Sequence, residues 1–176
     1  MARAPGAFLL AALVAASFPV ALPAQGGPGG LPAAGSAPRR TLGLAGGFAS
    51  AAPLGVSRQV AGHGLVAVGY APRRSPVEVR AEVMYVTWAD PAGQVSVNAT
   101  GVLPVAHVGV AGAAVRPYLL AGAGAHEFGA GRPRAVSAHA GVGLRAERAR
   151  YAAFAELRRH AAYGQSFLSL GATIRR

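Results

Sequence analysis

The sequence predicts an all-β fold, an eight-stranded antiparallel up-and-down transmembrane β-barrel. Three observations carry this. After Arg39 no segment keeps a 3.6-residue apolar stripe, whereas period-two alternation with Gly and β-branched residues recurs between turn signals. The alternating runs are about 9 to 12 residues long, which suits a tilted strand crossing a bilayer. In several runs the charged residues all fall on one parity and the oily residues on the other.

The runs begin after two leading segments. Arg3, the apolar stretch Ala7 to Ala16 and the small-residue exit Leu22-Pro23-Ala24 read as a secretory signal over residues 1–24, cleaved near Ala24. An uncleaved anchor is the alternative, but Pro19 follows a run shorter than the roughly 20 residues of a spanning helix. Residues 25–38 interleave five glycines with Pro28, Pro32 and Pro38, which gives a flexible Gly/Pro/Ala linker. Residues 39–176 remain for the barrel domain.

Eight runs are read there: 40–51, 62–71, 77–88, 94–105, 115–126, 136–146, 151–160 and 167–175. Short links such as Ala71 to Pro76, Asp90 to Gly93, Ala146 to Arg150 and Ala161 to Ser166 are rich in turn-formers or charge, so successive strands pair. An even number of paired strands closes without leaving an unsatisfied sheet edge in lipid. Val102 to Ala125 is apolar enough to mimic a spanning helix, but Pro104, His107, Arg116 and Pro117 interrupt it, and Gly109 to Ala114 reads as a turn.

The third run is the sharpest. Val77, Val79, Ala81, Val83 and Tyr85 share one face, and Glu78, Arg80 and Glu82 the other. In the seventh, Tyr151, Ala153, Ala155 and Leu157 oppose Glu156 and Arg158. In the sixth, Val136 to Leu144 at even positions oppose Ser137, His139 and Arg145. In the eighth, Leu168, Leu170, Ala172 and Ile174 oppose Ser169, Gly171 and Thr173, and in the fifth Arg116 and Tyr118 share a parity. A charge on the lipid face costs about 2 to 4 kcal/mol at mid-bilayer, so in a transmembrane barrel the ionic face turns into the lumen. An eight-strand lumen is just wide enough to be filled by side chains. Glu78, Glu82 and Glu156 are therefore expected to pair there with Arg80, Arg116, Arg145 or Arg158, in a structural ion-pair network. Tyr70, Tyr85, Trp88, Tyr151 and Tyr163 lie near strand ends, where interfacial girdles sit.

Composition bounds the rest. The chain of 176 residues has no cysteine, which excludes disulfide-stapled scaffolds and cysteine-ligated metals. All seventeen basic residues are Arg, against six acidic ones. Export and the scattering of the Arg over strand ends point to an anionic membrane surface, not nucleic acid.

Arg116-Pro-Tyr-Leu-Leu-Ala-Gly-Ala-Gly124, Ala140-Gly-Val-Gly-Leu-Arg145, Phe154-Ala-Glu-Leu-Arg158 and Leu168-Ser-Leu-Gly171 resemble strands five to eight of the eight-stranded bacterial outer-membrane β-barrel families, including the barrel domain of the outer-membrane protein A family. The resemblance implies a monomer in the bacterial outer membrane, with lipids as partners, no cofactor and no shared catalytic site. It departs at the terminus: such barrels usually end in an aromatic residue, whereas this chain ends Ile174-Arg175-Arg176.

Other chemistry is weaker. Gly122-Ala-Gly124 lacks the third glycine and the following helix of a dinucleotide loop. His63, His107, His126, His139 and His160 are scattered without paired spacing, so no metal site is expected. Asn98-Ala99-Thr100 fits a glycosylation acceptor that has little meaning in a bacterial strand. Ser137 and His139 share a face and give the one enzymatic reading, a lipid-modifying barrel, although residues two apart on a strand make a poor nucleophile–base pair. A soluble lipocalin-like barrel would turn the same oily faces inward around an apolar ligand, and a narrow pore would leave the lumen open to ions. The longest loop candidates are 52–61 and 127–135, the latter carrying Arg132-Pro133-Arg134.

Overall fold

The computed structural model describes residues 38–51, 59–87, 93–106, 108–110, 113–128, 135–161 and 164–176. The expected signal, nearly all of the linker, Trp88, Tyr163 and Arg132 to Arg134 lie outside these residues. The strands are β1 (Arg39–Ala51), β2 (Gln59–Ala71), β3 (Glu78–Thr87), β4 (Gln94–Pro104), β5 (Val108–Val110), β6 (Ala113–Phe128), β7 (Ala135–Arg148), β8 (Tyr151–His160) and β9 (Ser166–Arg175). Every pairing is antiparallel; all but β4–β6 and β1–β9 join sequence neighbours, and β1–β9 closes the sheet. β4 and β5 both pair with β6, so the nine segments form eight staves of one closed barrel.

The break between β4 and β5 has a local cause. In an antiparallel ladder a residue's N–H and C=O point to the same neighbour. The Pro117 carbonyl accepts from the Val105 N–H at 3.0 Å, so proline's missing N–H is missing on that same side, where β4 stops at Pro104. Beyond it the ladder resumes, Val108 opposite Val115 and Val110 opposite Ala113. The chain reverses between Val110 and Ala113, inside the turn expected over Gly109 to Ala114, with strand on both flanks, and β6 runs for 16 residues, longer than the sequence predicts. The helical alternative for Val102 to Ala125 is displaced by strands, and no helix among the described residues is long and apolar enough to cross a membrane.

Burial alternates residue by residue, most regularly in β2 and β3. Each stave contributes to an outer apolar band: Leu44, Val66, Val83, Val97, Leu119, Val142, Leu157 and Leu170 are all exposed, Leu44 and Leu170 at 62%. Of the ring-bearing residues expected near strand ends, Tyr70 and Tyr151 are exposed at the end that carries the chain termini, and Tyr85 toward the other. Inside, Ala49, Ala61, Leu65, Ala67, Met84, Val86 and Phe167 pack together on one wall, and Val102, Tyr118 and Leu120 on another. The remaining inward positions are mostly polar or charged, with Phe154 and the small Ala51, Ala71 and Ala152 among them.

The inward aromatics are seated by glycines. Tyr118 and Phe154 are buried, and a Cβ on Gly143 would overlap the Tyr118 ring, as one on Gly171 would the edge of Phe154. Gly143 is paired directly with Tyr118 and Gly171 with Phe154, so each ring lies over the bare backbone of the next strand. A narrow lumen has room for two large rings only if their neighbours carry no side chain.

Two outcomes follow for stability, measured by urea titration of the folded barrel. Gly143→Ala is expected to cost about 1–3 kcal/mol by overpacking, while Gly64→Ala, whose Cβ meets nothing within 4 Å, leaves stability unchanged or raises it. At the two-residue β7–β8 turn, Ala149 has φ of 52°. Ala149→Gly there should stabilise by about 1 kcal/mol, because glycine carries no left-handed penalty.

Candidate functional site

The charged residues of β3, β7 and β8 meet across the lumen because alternation turns every second side chain inward and closure brings distant strands face to face. Glu156 of β8 is 1% exposed and accepts three hydrogen bonds: from Arg80 Nη1 at 2.6 Å, Tyr118 Oη at 2.7 Å and Arg158 Nη2 at 3.0 Å. Arg158 turns its fork on Glu82, through Nη1 to Oε2 and through Nη2 to Oε1 at 3.0 Å, and Thr100 Oγ1 donates to the same carboxylate at 2.9 Å. Such charge-assisted, bidentate contacts are the strong ones. Arg80 lies over the rings of Tyr118 and Phe154, at 5.6 and 5.8 Å from their centroids.

Nearer the terminus-side end, Glu78 accepts from Arg145 Nη1 at 2.9 Å and Thr41 Oγ1 at 2.8 Å, with Arg80 Nε at 3.6 Å. Of the seven residues singled out in the sequence, Glu78, Arg80, Glu82, Arg145, Glu156 and Arg158 are buried and in mutual contact. Arg116 is the departure. It contacts none of the three expected glutamates; its Nη2 faces Glu147 Oε2 at 3.5 Å. Glu147 also holds Arg175, at 2.9 Å, and lies 4.0 Å from Arg145. Sequence reasoning misses Glu147, since the charge after residue 146 resembles a turn, and it gives Arg175, the last residue of the eighth run, no partner. The parity of Arg145 extended by two residues finds Glu147.

The other half of the lumen holds a cluster that sequence spacing does not reveal. His139 stacks on His160 with centroids 4.8 Å apart and planes at 24°, and His160 meets His126 edge-on at 5.0 Å. His160 Nδ1 is 3.3 Å from His126 Nε2, and His126 Nδ1 is 2.7 Å from Ser96 Oγ. His139 Nε2 reaches Thr100 at 3.0 Å, which joins this half to Glu82. Gln94 and Gln165 pair at 2.8 Å beside them, and His63 contacts Ser169 at 2.8 Å. His126, His139 and His160 come from three separate strands, so no linear motif marks them; their signal is inward parity on neighbouring staves. Among the described residues no group of His, Asp or Glu is arranged to hold a metal ion. Stacked rings present faces to one another and do not converge their nitrogens on one point.

The remaining sequence candidates are placed as follows. Ser137 and His139 both face inward, Ser137 Oγ donating to the Ala138 carbonyl at 2.9 Å while His139 engages Thr100. Gly122 and Gly124 lie within β6, where a Cβ on Gly124 would overlap the Asn98 side chain. Asn98 itself is 2% exposed, inside the barrel. His107 lies outside the described residues.

The sequence matches no protein-family model and no curated protein. Among solved structures the chain is similar to the N-terminal β-barrel domain of Pseudomonas aeruginosa OprF, with TM-score 0.51 and 18% identity over 79% of this chain and 97% of that one. It is likewise similar to Neisserial surface protein A, with TM-score 0.53 and 10% identity over 77% of this chain and 96% of that one. The fold of this chain is that of the eight-stranded outer-membrane β-barrels.

Proposed function

We propose that the chain is exported by a cleaved signal at residues 1–24, and that residues 39–176, behind the 25–38 lead-in, insert as a monomer into the bacterial outer membrane. Its role there is structural or surface-interacting, with a lumen closed by its own side chains. One observation carries the reading: the barrel is inverted relative to a soluble one, with Leu and Val outward on every stave while Glu156 and Arg80 are 1% and 2% exposed. Soluble monomers rarely leave contiguous apolar patches larger than a few hundred Å² exposed, whereas here exposed Leu and Val run around every stave. A lipocalin-like barrel needs the opposite parity, with the oily face enclosing the ligand.

Lipid is the partner this surface fits. The terminus-side rim carries exposed Arg40, Arg73, Arg74, Arg148, Arg150 and Arg176, next to outward Tyr70 and Tyr151. Arginines at that level suit lipid phosphates, and the tyrosines suit the headgroup boundary. Membrane fractionation tests the reading: the mature protein is expected in detergent-extracted outer membranes as a heat-modifiable band, without stepwise conductance in planar bilayers. Recovery from the periplasmic soluble fraction would overturn it in favour of the soluble barrel. A lipid acyl-release assay comparing wild type with Ser137→Ala covers the enzymatic alternative, and no release is expected.

The lumen network has a structural part in this reading. Glu156→Gln leaves Arg80 and Arg158 short of a carboxylate in a confined space, and breaking such buried pairs costs about 3–5 kcal/mol. Glu127→Gln, on the outer face, should change stability by less than about 0.5 kcal/mol. Urea midpoints of the two detergent-folded variants make the comparison; equal and negligible effects would count against a structural network.

A further inference from the structure

We infer that the terminus-side mouth of the lumen is a binding site for a small, doubly charged oxyanion of the phosphate type. The mouth is a cavity walled by Arg39, Arg116, Arg145 and Arg175 on the cationic side and by Glu78 and Glu147 on the anionic side. Four guanidiniums thus face two carboxylates, and Glu78 is shared further with Arg80. Deeper in the lumen the charges balance, Arg80 and Arg158 against Glu82 and Glu156. The two uncompensated positive charges are therefore concentrated at this one mouth.

The donors are also under-used. Arg145 is nine-tenths buried and lines the cavity, yet only its Nη1 is engaged, by Glu78; its Nε and Nη2 have no hydrogen-bond partner among the described residues, and neither does Arg116 Nε. Arg80 has unpartnered nitrogens too and, like Arg145, lies over the Tyr118 ring, but it does not line the cavity. Buried donors are nearly always satisfied, so unsatisfied guanidinium N–H groups on residues that wall the cavity, enclosed just behind its surface and joined by a local charge excess, point to an acceptor seated there after a small movement of the guanidiniums. An oxyanion with several acceptor oxygens takes guanidinium forks bidentately, and two charges match the excess.

The geometry also favours a soluble source for the anion. Arg39, Arg145 and Arg175 alternate with the outward residues of β1, β7 and β9, so their heads point to the barrel axis and the site opens to water at the rim. A lipid phosphate, held outside the wall, meets the outer arginines such as Arg74 instead.

The test uses the detergent-folded barrel in a zwitterionic micelle, with inorganic phosphate titrated at mildly alkaline pH against chloride of matched ionic strength. Calorimetry should show saturable binding, and phosphate should raise the thermal midpoint beyond chloride. Arg39→Gln and Arg175→Gln, both at the rim and outside the deep network, should each weaken binding about tenfold, the worth of one charge-assisted contact. Arg74→Gln should leave it unchanged. Glu147→Gln should tighten it, a direction that loss of structure cannot produce. Binding should persist at the same affinity in bilayers containing an anionic lipid. The inference is overturned by a response to phosphate no greater than to chloride, by equal losses in Arg74→Gln and Arg39→Gln, or by a lipid that competes phosphate away, which would assign the anion to a headgroup. The heat-modifiable band of each variant reports folding separately.

Discussion

The whole structure depends on one constraint: a closed sheet has only one interior, and the charges buried deep inside it must find their partners there. Eight staves with period-two alternation send Glu78, Arg80, Glu82, Arg145, Glu147, Glu156 and Arg158 into one narrow space. Burying an ion without a partner costs several kcal/mol, so such a lumen is tolerable only if carboxylates and guanidiniums interleave. The observed order does so. Arg80 reaches Glu78, Glu82 and Glu156, and Arg158 reaches Glu82 and Glu156. The outer wall is then free to be purely apolar, which a barrel crossing a membrane requires.

Parity is a local property, and that is why so much of the fold is legible in the sequence. In Val77-Glu78-Val79-Arg80-Ala81-Glu82-Val83, two residues are enough to define which side is which, and the structure keeps that alternation unbroken through β3. Partners are not local. Arg80 and Glu156 are 76 residues apart and meet across the barrel, not along a ladder, so their pairing depends on the stagger of all eight staves. The same reason hides the His126–His139–His160 cluster, whose members sit on β6, β7 and β8. Even the break at Pro117 requires knowing which neighbour its carbonyl faces. Arg116 belongs to the expected interior but takes a different partner, because β7 continues past residue 146 and so carries Glu147 inward.

The two halves of the lumen solve the filling problem differently. Toward the terminus side, volume is taken up by long Arg side chains, by Tyr118 over Gly143 and by Phe154 over Gly171, so aromatic faces and guanidinium planes share the space. Toward the other side, neutral amides, hydroxyls and imidazoles sit beside an apolar wall of Leu65, Met84, Val86 and Phe167. Thr100 joins them, touching Glu82 with the same hydroxyl that reaches His139. A polar hydrogen-bonded column therefore runs along the barrel with few apolar interruptions. Networks of this kind specify one arrangement only while they stay satisfied, which makes single deletions within them costly.

The end of the last strand shows the same ionic logic. β9 ends at Arg175, and its end is fastened on both edges. Arg176 and Arg40 exchange backbone hydrogen bonds at 3.0 and 3.3 Å, and the Arg175 N–H donates to Arg150 at 2.7 Å. The Arg175 side chain then crosses the mouth to Glu147 on β7, two staves away. This ion pair ties the end of β9 to β7 in addition to the ladder hydrogen bonds on either side. Its cation also adds to the excess at that mouth, so the device that secures the last strand is part of what gives the mouth its charge.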